Sequence, residues 1–315
     1  MHQPVSKGPG VTLGVGQYFT RNETWAEQAK PWIDYLSRAS FLLQQGRAAN
    51  DIAVFYGEAG PIVAPYRDSL PAVPDGYRYD YVNADVILNK LTVRDGAMTT
   101  DTGMRYGALF IGHGAERISL PVLRKMRDMV REGAVLIGPK PQGSPSLADS
   151  PEEVKSIINA LWPGGTAATV GKGRVFADDD TAAALQAIKL APDFTHAKPN
   201  ADNRVMFIHR RLSDGDVYFL SNRLDRSGTI EASFRVSGRP RRFTTQTQAL
   251  ERVQIEDICV GLDSVQKQGM CYSTEATVSR QVAGVIQRAH GSLESFQLII
   301  EIRREEERLR AFGGF

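Results

Sequence analysis

Cysteine is nearly absent from this chain. Among 315 residues there are two, Cys259 and Cys271, both in the last quarter. The first 258 residues therefore offer neither a thiol nucleophile nor an internal disulfide. No CxxC or Cys/His spacing of the kind that binds metal occurs anywhere. Long apolar runs are missing too: none approaches the length needed to span a bilayer, so no membrane partner is expected. Strong charge of one sign is also lacking. The formal net charge is +2; this slight balance points to no particular partner, since a nucleic-acid binder concentrates Lys and Arg on one face, and no nucleic-acid partner is expected. The N-terminus, "MHQPVSKGPGVTLGVGQ", has no apolar core and does not read as a signal peptide. It also starts without a helix or strand pattern, as though the chain begins inside a longer protein. GxGxxG and P-loop patterns are absent, and "GKGR" at Gly171–Arg174 is too short to count.

What is present is ordinary globular composition, 42% apolar and 23% charged, at a length that suggests about two domains. Residues 1–23 read as loop, punctuated by Pro4, Gly8, Pro9, Gly10, Gly14 and Gly16. Trp25, Ala29, Trp32, Leu36 and Leu43 then fall near helical spacing. Asn22 or Thr24 could cap that helix, Pro31 belongs in its first turn, and Gly46 stops it. Strand and helix alternate next: "DIAVFYGE", "NADVILNKL", "GALFIG", "SLPVLRKMRDMVREG", "AVLIGPK", "SPEEVKSIINALW" and "GKGRVFA". Ser119 is expected to cap the second of these helices, and Ser150 with Glu153 to form a capping box on the third. Continuous apolar strands between helices imply a doubly wound parallel sheet of flavodoxin-like type over residues 49–195. After about residue 200 the period changes. "RVMFIHRRL", "DVYFLSN" and "IEASFRV" read as antiparallel strands, the opening of a β-sandwich that needs about seven. From Arg241 to Phe315 no period holds, apart from a helix-like "FQLIIEIRREEERLRAF"; this tail is expected to pack poorly.

Chemistry concentrates near the start. In "GQYFTRNETWAEQAKPW", Arg21 and Asn22 can hydrogen-bond sugar hydroxyls or a carboxylate, and Trp25 can stack on a sugar face. Glu23, Glu27 and Glu58 are carboxylates able to serve as general acid or base. The same residues equally describe a capped helix: Asn22 as cap, Trp25 and Trp32 as core, and the glutamates on the positive end of the dipole. Among the histidines, His113 reads as a surface-loop residue without a partner. His209 is expected to face outward beside Arg210 and Arg211. The loop after the first α/β strand, "YGEAGPIVAPY", is too poor in hydroxyls and too rich in proline for a flavin phosphate. "LFIGHGAERISL" lacks the cysteine of an amidotransferase elbow. A scaffold role for the α/β domain fits better than catalysis of its own.

Four long stretches occur in order. They are "PGVTLGVGQYFTRNETWAEQAKPWIDYLSRASFLLQQGRAANDIAVFYGE", "GYRYDYVNADVI", "ISLPVLRKMRDMVREGAVLIGPKPQGSPSL" and "IHRRLSDGDVYFLSN". From His2 to about Gly238 they resemble the α-L-rhamnosidases of glycoside hydrolase family 106. The resemblance implies a large enzyme with a (β/α)8 barrel followed by further domains, dependent on calcium and acting on rhamnose-containing glycans with inversion. Inversion needs two carboxyl groups roughly 6.5–9.5 Å apart. On this resemblance residues 1–48 are the C-terminal remnant of the barrel, and 200–240 are the first sandwich strands. Arg21, Asn22 and Trp25 line the sugar site, and Glu23 and Glu58 are the candidate catalytic carboxylates. No calcium ligand can be placed. The chain alone is expected to be inactive, with an apolar surface exposed around Trp25, Trp32 and Leu36. Relatives of this kind are periplasmic or secreted. A non-catalytic scaffold or interaction module is the alternative.

Beyond Gly238 the family pattern gives way to "RPRRFTTQTQAL". Read from the third base, codons for Pro240–Ala249 permit Pro-Ala-Leu-Tyr-Asp-Pro-Asp-Thr-Gly, close to what the family has there. A one-base shift near residue 240 would account for residues 241–315. The nucleotide sequence tests this hypothesis, which fails if no other frame continues a sandwich.

Overall fold

The computed structural model describes residues 26–58, 60, 71–178, 180–197, 205–222, 228–237 and 239–243. It also describes three strand segments, 258–261, 281–286 and 297–303. A 3-10 turn (Ala26–Gln28) leads into α1 (Lys30–Gln44), with Pro31 in the first turn as its missing N–H requires. Ala29 stands at the N-cap without a side-chain hydrogen bond, so the caps expected at Asn22 or Thr24 lie before the helix and outside the described residues. Then follow β1 (Arg47–Ala48), β2 (Ile52–Phe55), β3 (Tyr79–Val82), α2 (Ala84–Asn89), β4 (Thr92–Arg94), β5 (Ala97–Thr99), β6 (Arg105–Tyr106) and β7 (Ala108–Ile111). After these come α3 (Leu120–Glu132), β8 (Val135–Ile137), α4 (Pro151–Leu161), β9 (Ala167–Val170), β10 (Gly173–Phe176) and α5 (Thr181–Ala187).

The apolar strands assemble as expected. Order in the six-stranded sheet is β3-β2-β7-β8-β10-β9, parallel throughout except for the edge hairpin between β9 and β10. Their side chains alternate between two cores. Ala53, Phe55, Leu109, Ile111, Leu136 and Val175 face α2, α3 and α4 through Ile87, Leu123, Met126 and Ile158. Ile52, Val54, Phe110, Ile137 and Phe176 face α5 and the stretch around Val73 and Tyr77. Both faces are thus covered, which is why these strands carry no polar alternation. The small antiparallel sheet β4-β5-β6 was not legible beforehand.

Two expected caps are built differently. Ser150 Oγ does accept from the Glu153 N–H, but the Glu153 carboxylate turns away to the Arg124 guanidinium, at 2.8 and 2.7 Å, so the capping box is only half made. Ser119 makes no cap bond of its own; its hydroxyl and its N–H both donate to Glu58 instead.

Downstream, β11 (Phe194–His196), β12 (Val205–Arg211), β13 (Gly215–Asn222), β14 (Gly228–Phe234), β15 (Arg239–Phe243), β16 (Ile258–Gly261), β17 (Gln281–Ile286) and β18 (Gln297–Arg303) complete the chain order. They form two antiparallel sheets, β1-β12-β13-β18-β15 and β11-β14-β17-β16. Phe207, Tyr218 and Leu220 of the first meet Phe194, Ala232 and Phe234 of the second, a sheet-on-sheet core. β11, assigned from sequence to the α/β domain, pairs with β14 instead. The helix expected at Gln297–Arg303 is a strand, hydrogen-bonded between β13 and β15. Its "QLIIEIR" is rich in Ile, which suits the middle of a sheet. Further segments of the tail, β16 and β17, likewise pair in the second sheet.

The first sheet's other face is covered by α1, through Ala39 against Val217 and Phe219. The apolar surface expected around Trp32 and Leu36 is exposed, Trp32 at 44% against its other reading as core, and Ile33 and Phe41 are exposed beside it. The amphipathic period of α1 is real, but the sheet takes up only its Ala39 side. Among the described residues no helix is long and apolar enough to cross a membrane.

Candidate functional site

In a parallel α/β sheet, ligands collect at the carboxyl ends of the strands where the order reverses, and helix N-termini there attract anions. Here the reversal lies between β2 and β7, and the helix behind it is α3. That place is filled by the chain itself. Glu58, just past β2, accepts from the Ser119 backbone N–H through Oε2 at 2.8 Å and from the Ser119 hydroxyl through Oε1 at 2.8 Å. Asp149 Oδ2 accepts from the Leu120 N–H at 2.8 Å and from Ser144 Oγ at 2.5 Å. Those bonds, Ser144 first and Leu120 second, hold the Asp149 carboxyl below its usual range. Residue 121 is proline and has no N–H to give. Two carboxylates thus stand where a ligand's negative charge would go.

The two crossover loops also close on each other. Gly57 has φ +89°, and a Cβ there would lie 1.8 Å from the Gly114 carbonyl oxygen. Gly112 N–H donates to Phe55 O at 2.8 Å. His113 sits in the exposed turn beside them.

The opposite, amino-terminal end of the sheet is open. A groove of about 1560 Å³ runs past the starts of β2, β7, β8 and β10, at Asp51, Gly107, Val135 and Gly173. Its charged lining is seven Lys and Arg side chains, among them Arg47, Arg105, Lys172 and Arg174, against Asp51, Asp95 and Asp214, a positive balance.

Between the α/β layer and the sandwich lies a buried polar cluster that the sequence reading missed. His209 was expected to face outward with its arginine neighbours. In the period of β12 it points inward with Phe207, while Met206 and Ile208 are exposed. Its Nδ1 lies 2.8 Å from Asp193 Oδ2 and its Nε2 3.0 Å from Asp216 Oδ1, both at hydrogen-bond distance. The Tyr218 ring stacks on it at 4.0 Å, and the Tyr218 hydroxyl donates to Asp193 Oδ1 at 2.8 Å. Arg235 Nη2 donates to Asp51 Oδ1 at 2.6 Å and lies 3.5 Å from Asp193 Oδ1. Burial alone would lower the His209 pKa, but hydrogen bonds and charge from Asp193 and Asp216 prevail and raise it. Burial raises the Tyr218 phenol, with Asp193 adding to it. The Asp51 carboxyl is raised by burial, against the pull of Arg235. The sequence signal was weak: a lone His in an apolar alternation, with its carboxylates 16 and 7 residues away.

Of the residues singled out from sequence, Arg21, Asn22, Glu23 and Trp25 lie outside the described residues. Glu58 is the helix-capping group above. Among the described residues no group of three or more His, Cys, Asp or Glu side chains is placed to hold a metal ion.

A family model described as alpha-L-rhamnosidase, glycoside hydrolase family 106, matches residues 1–257. The chain belongs to glycoside hydrolase family 106. The match runs past Gly238, where the resemblance visible in the sequence gives way. A curated relative from Formosa agariphila, named "Putative beta-glucuronidase", is 34% identical over 244 residues, which is 76% of this chain and 20% of the relative. The solved rhamnosidase of Novosphingobium sp. PP1Y superposes with a TM-score of 0.73 at 32% identity, over 96% of this chain and 27% of that one. The family 106 chain described here therefore spans a fifth to about a quarter of the length of these two relatives.

Proposed function

We propose that this chain is the part of an inverting α-L-rhamnosidase that follows most of its (β/α)8 barrel, acting with the remainder on terminal α-L-rhamnosyl linkages. The observation that carries this reading is the family match across residues 1–257. In it, residues 1–48 end the barrel. Arg21, Asn22 and Trp25 contact the sugar, and Glu23 is a candidate for one of the two carboxylates. Glu58 is the weaker candidate, since both of its oxygens are engaged by Ser119. The parallel strand order, second-first-third-fourth-fifth, is that of flavodoxin-type domains. The Glu58 and Asp149 carboxylates at α3 support a scaffold role for that layer. Calcium and export to the periplasm or medium belong to the same family reading.

The relative's name supports a second substrate to be tried, a β-glucuronide. The experiment is hydrolysis of aryl α-L-rhamnoside and aryl β-glucuronide by the 315-residue chain alone and by a longer protein that adds a family barrel ahead of it. Rhamnoside turnover only by the longer protein is the expected result. Turnover of neither substrate by the longer protein overturns the hydrolase reading, and turnover by the chain alone overturns its dependence on the barrel.

A further inference from the structure

Six side chains at the junction of the α/β layer and the sandwich alternate in sign. Asp51 precedes β2, and Arg235 follows β14. Asp193 is pinned to the α/β layer by its N–H, which donates to Gly76 O at 2.8 Å. His209 and Arg211 lie on β12, and Asp216 on β13. Successive contacts are 2.6 Å (Asp51–Arg235), 3.5 Å (Arg235–Asp193), 2.8 Å (Asp193–His209), 3.0 Å (His209–Asp216) and 3.9 Å (Asp216–Arg211). The Asp193 and His209 side chains are wholly buried and that of Asp216 is 2% exposed. Arg211, at the end, is half exposed.

The geometry favours an imidazolium at the centre. A neutral ring has one N–H and one lone pair. Here each nitrogen faces a carboxylate oxygen at hydrogen-bond distance, so a neutral ring would set a lone pair against a buried anion. Losing the ring's charge would weaken its hold on two buried carboxylates, and breaking a buried ion pair is strongly destabilising. The groups facing His209 are Asp193 from the segment before β11, and Asp216 and Tyr218 from β13. Arg235, Asp51 and Arg211 stand one step further out. Arg235 also donates to Ala191 O at 2.7 Å, one link between the layers beside the Asp193 and Phe194 N–H groups on Gly76 O.

We propose that this run of alternating charge is a pH-operated latch, which seats the sandwich on the α/β layer while His209 is protonated and releases it when that proton is lost. The His209 pKa is raised in the folded state. Its contribution to stability is therefore fully present below the unfolded value, about 6.5, and is lost as pH climbs through the higher folded value. The latch is independent of which glycoside the enzyme takes.

The test uses the full chain with Cys259→Ser and Cys271→Ser. Spin labels are placed at Lys155→Cys on α4 and Met206→Cys on β12, and distances are read by pulsed EPR from about pH 6 to about pH 10. His209 protonation is followed in parallel by imidazole NMR. One short distance is expected while the ring is charged, with a longer population growing as it deprotonates. Asp216→Asn removes one neighbouring charge, so both midpoints should fall together by about one pH unit or more; a merely space-filling role would leave them in place. A distance that stays single through the His209 titration overturns the proposal. So does a ring that is neutral at the lowest pH, or one still charged at the highest.

Discussion

Glu58 and Ser119, 61 residues apart, are joined by two hydrogen bonds of 2.8 Å that tie the end of β2 to the start of α3. The pair closes the place where a parallel sheet would otherwise receive a ligand. It also engages both oxygens of a candidate catalytic carboxylate. Glu58→Ala should destabilise the chain by about 0.5–2 kcal/mol, the range for loss of a helix cap, measured by urea unfolding. Glu58→Gln keeps an acceptor and should cost less. In a longer, active enzyme, Glu58→Gln separates the two roles. A cap leaves kcat within a few-fold, whereas loss of a general acid or base removes about 100-fold or more.

Gly57 makes that closure possible. With φ +89° and the Gly114 carbonyl 1.8 Å from where a Cβ would stand, Gly57→Ala adds backbone strain to a clash that neither loop can avoid. The expected cost is about 2–5 kcal/mol, strain and overpacking together. Gly164 has φ +132° but open space around it, so Gly164→Ala should carry the strain alone. Thermal unfolding of the two variants should rank them in that order; equal shifts would mean that the loops give way freely.

Much of the α/β layer could be read from residues because its strands are buried on both faces and its helices carry strong local signals. Pro121 and Gly133 bracket α3, and Ser150 and Pro151 open α4, where the expected boundaries fall. What escaped was non-local. Nothing near Ser119 announces that Glu58 will satisfy it, and nothing near His209 announces Asp193. The β18 segment carries residues acceptable to helix and strand alike, and its place between β13 and β15 decides the matter. α1 was legible as a helix with an exposed apolar surface around Trp32 and Leu36, but the exposure of Ile33 and Phe41 was not, since the spacing of apolar residues does not say what will cover them. The candidate sugar-site residues Arg21, Asn22, Glu23 and Trp25 came from family resemblance, not from geometry.

Trp162 shows how one buried donor anchors α4 to the sheet. It is 3% exposed, and its indole Nε1–H donates to Gly138 O at 3.1 Å, just past β8. Trp162→Phe keeps much of the apolar bulk but leaves that carbonyl without its partner. The expected loss is about 1–3 kcal/mol, the range for a buried acceptor stranded without a hydrogen bond. Trp162→Ala should cost about 3–5 kcal/mol as a cavity is added. Chemical denaturation with unchanged m-values would check both.

The exposed side of α1 should govern self-association. Ile33 and Phe41 are 44% and 64% exposed on a helix whose opposite side is already seated on Val217 and Phe219. Contiguous apolar surface of this kind promotes association. Ile33→Gln with Phe41→Gln puts good helix formers in their place without touching Ala39. Sedimentation velocity should show the parent chain associating with concentration and the double variant shifted toward monomer, while its unfolding free energy changes by no more than about 0.5 kcal/mol. A parent chain that stays monodisperse at high concentration would remove the reason to regard this face as uncovered. A variant that unfolds instead of dissociating would place Ile33 and Phe41 in the core of the fold rather than on its surface.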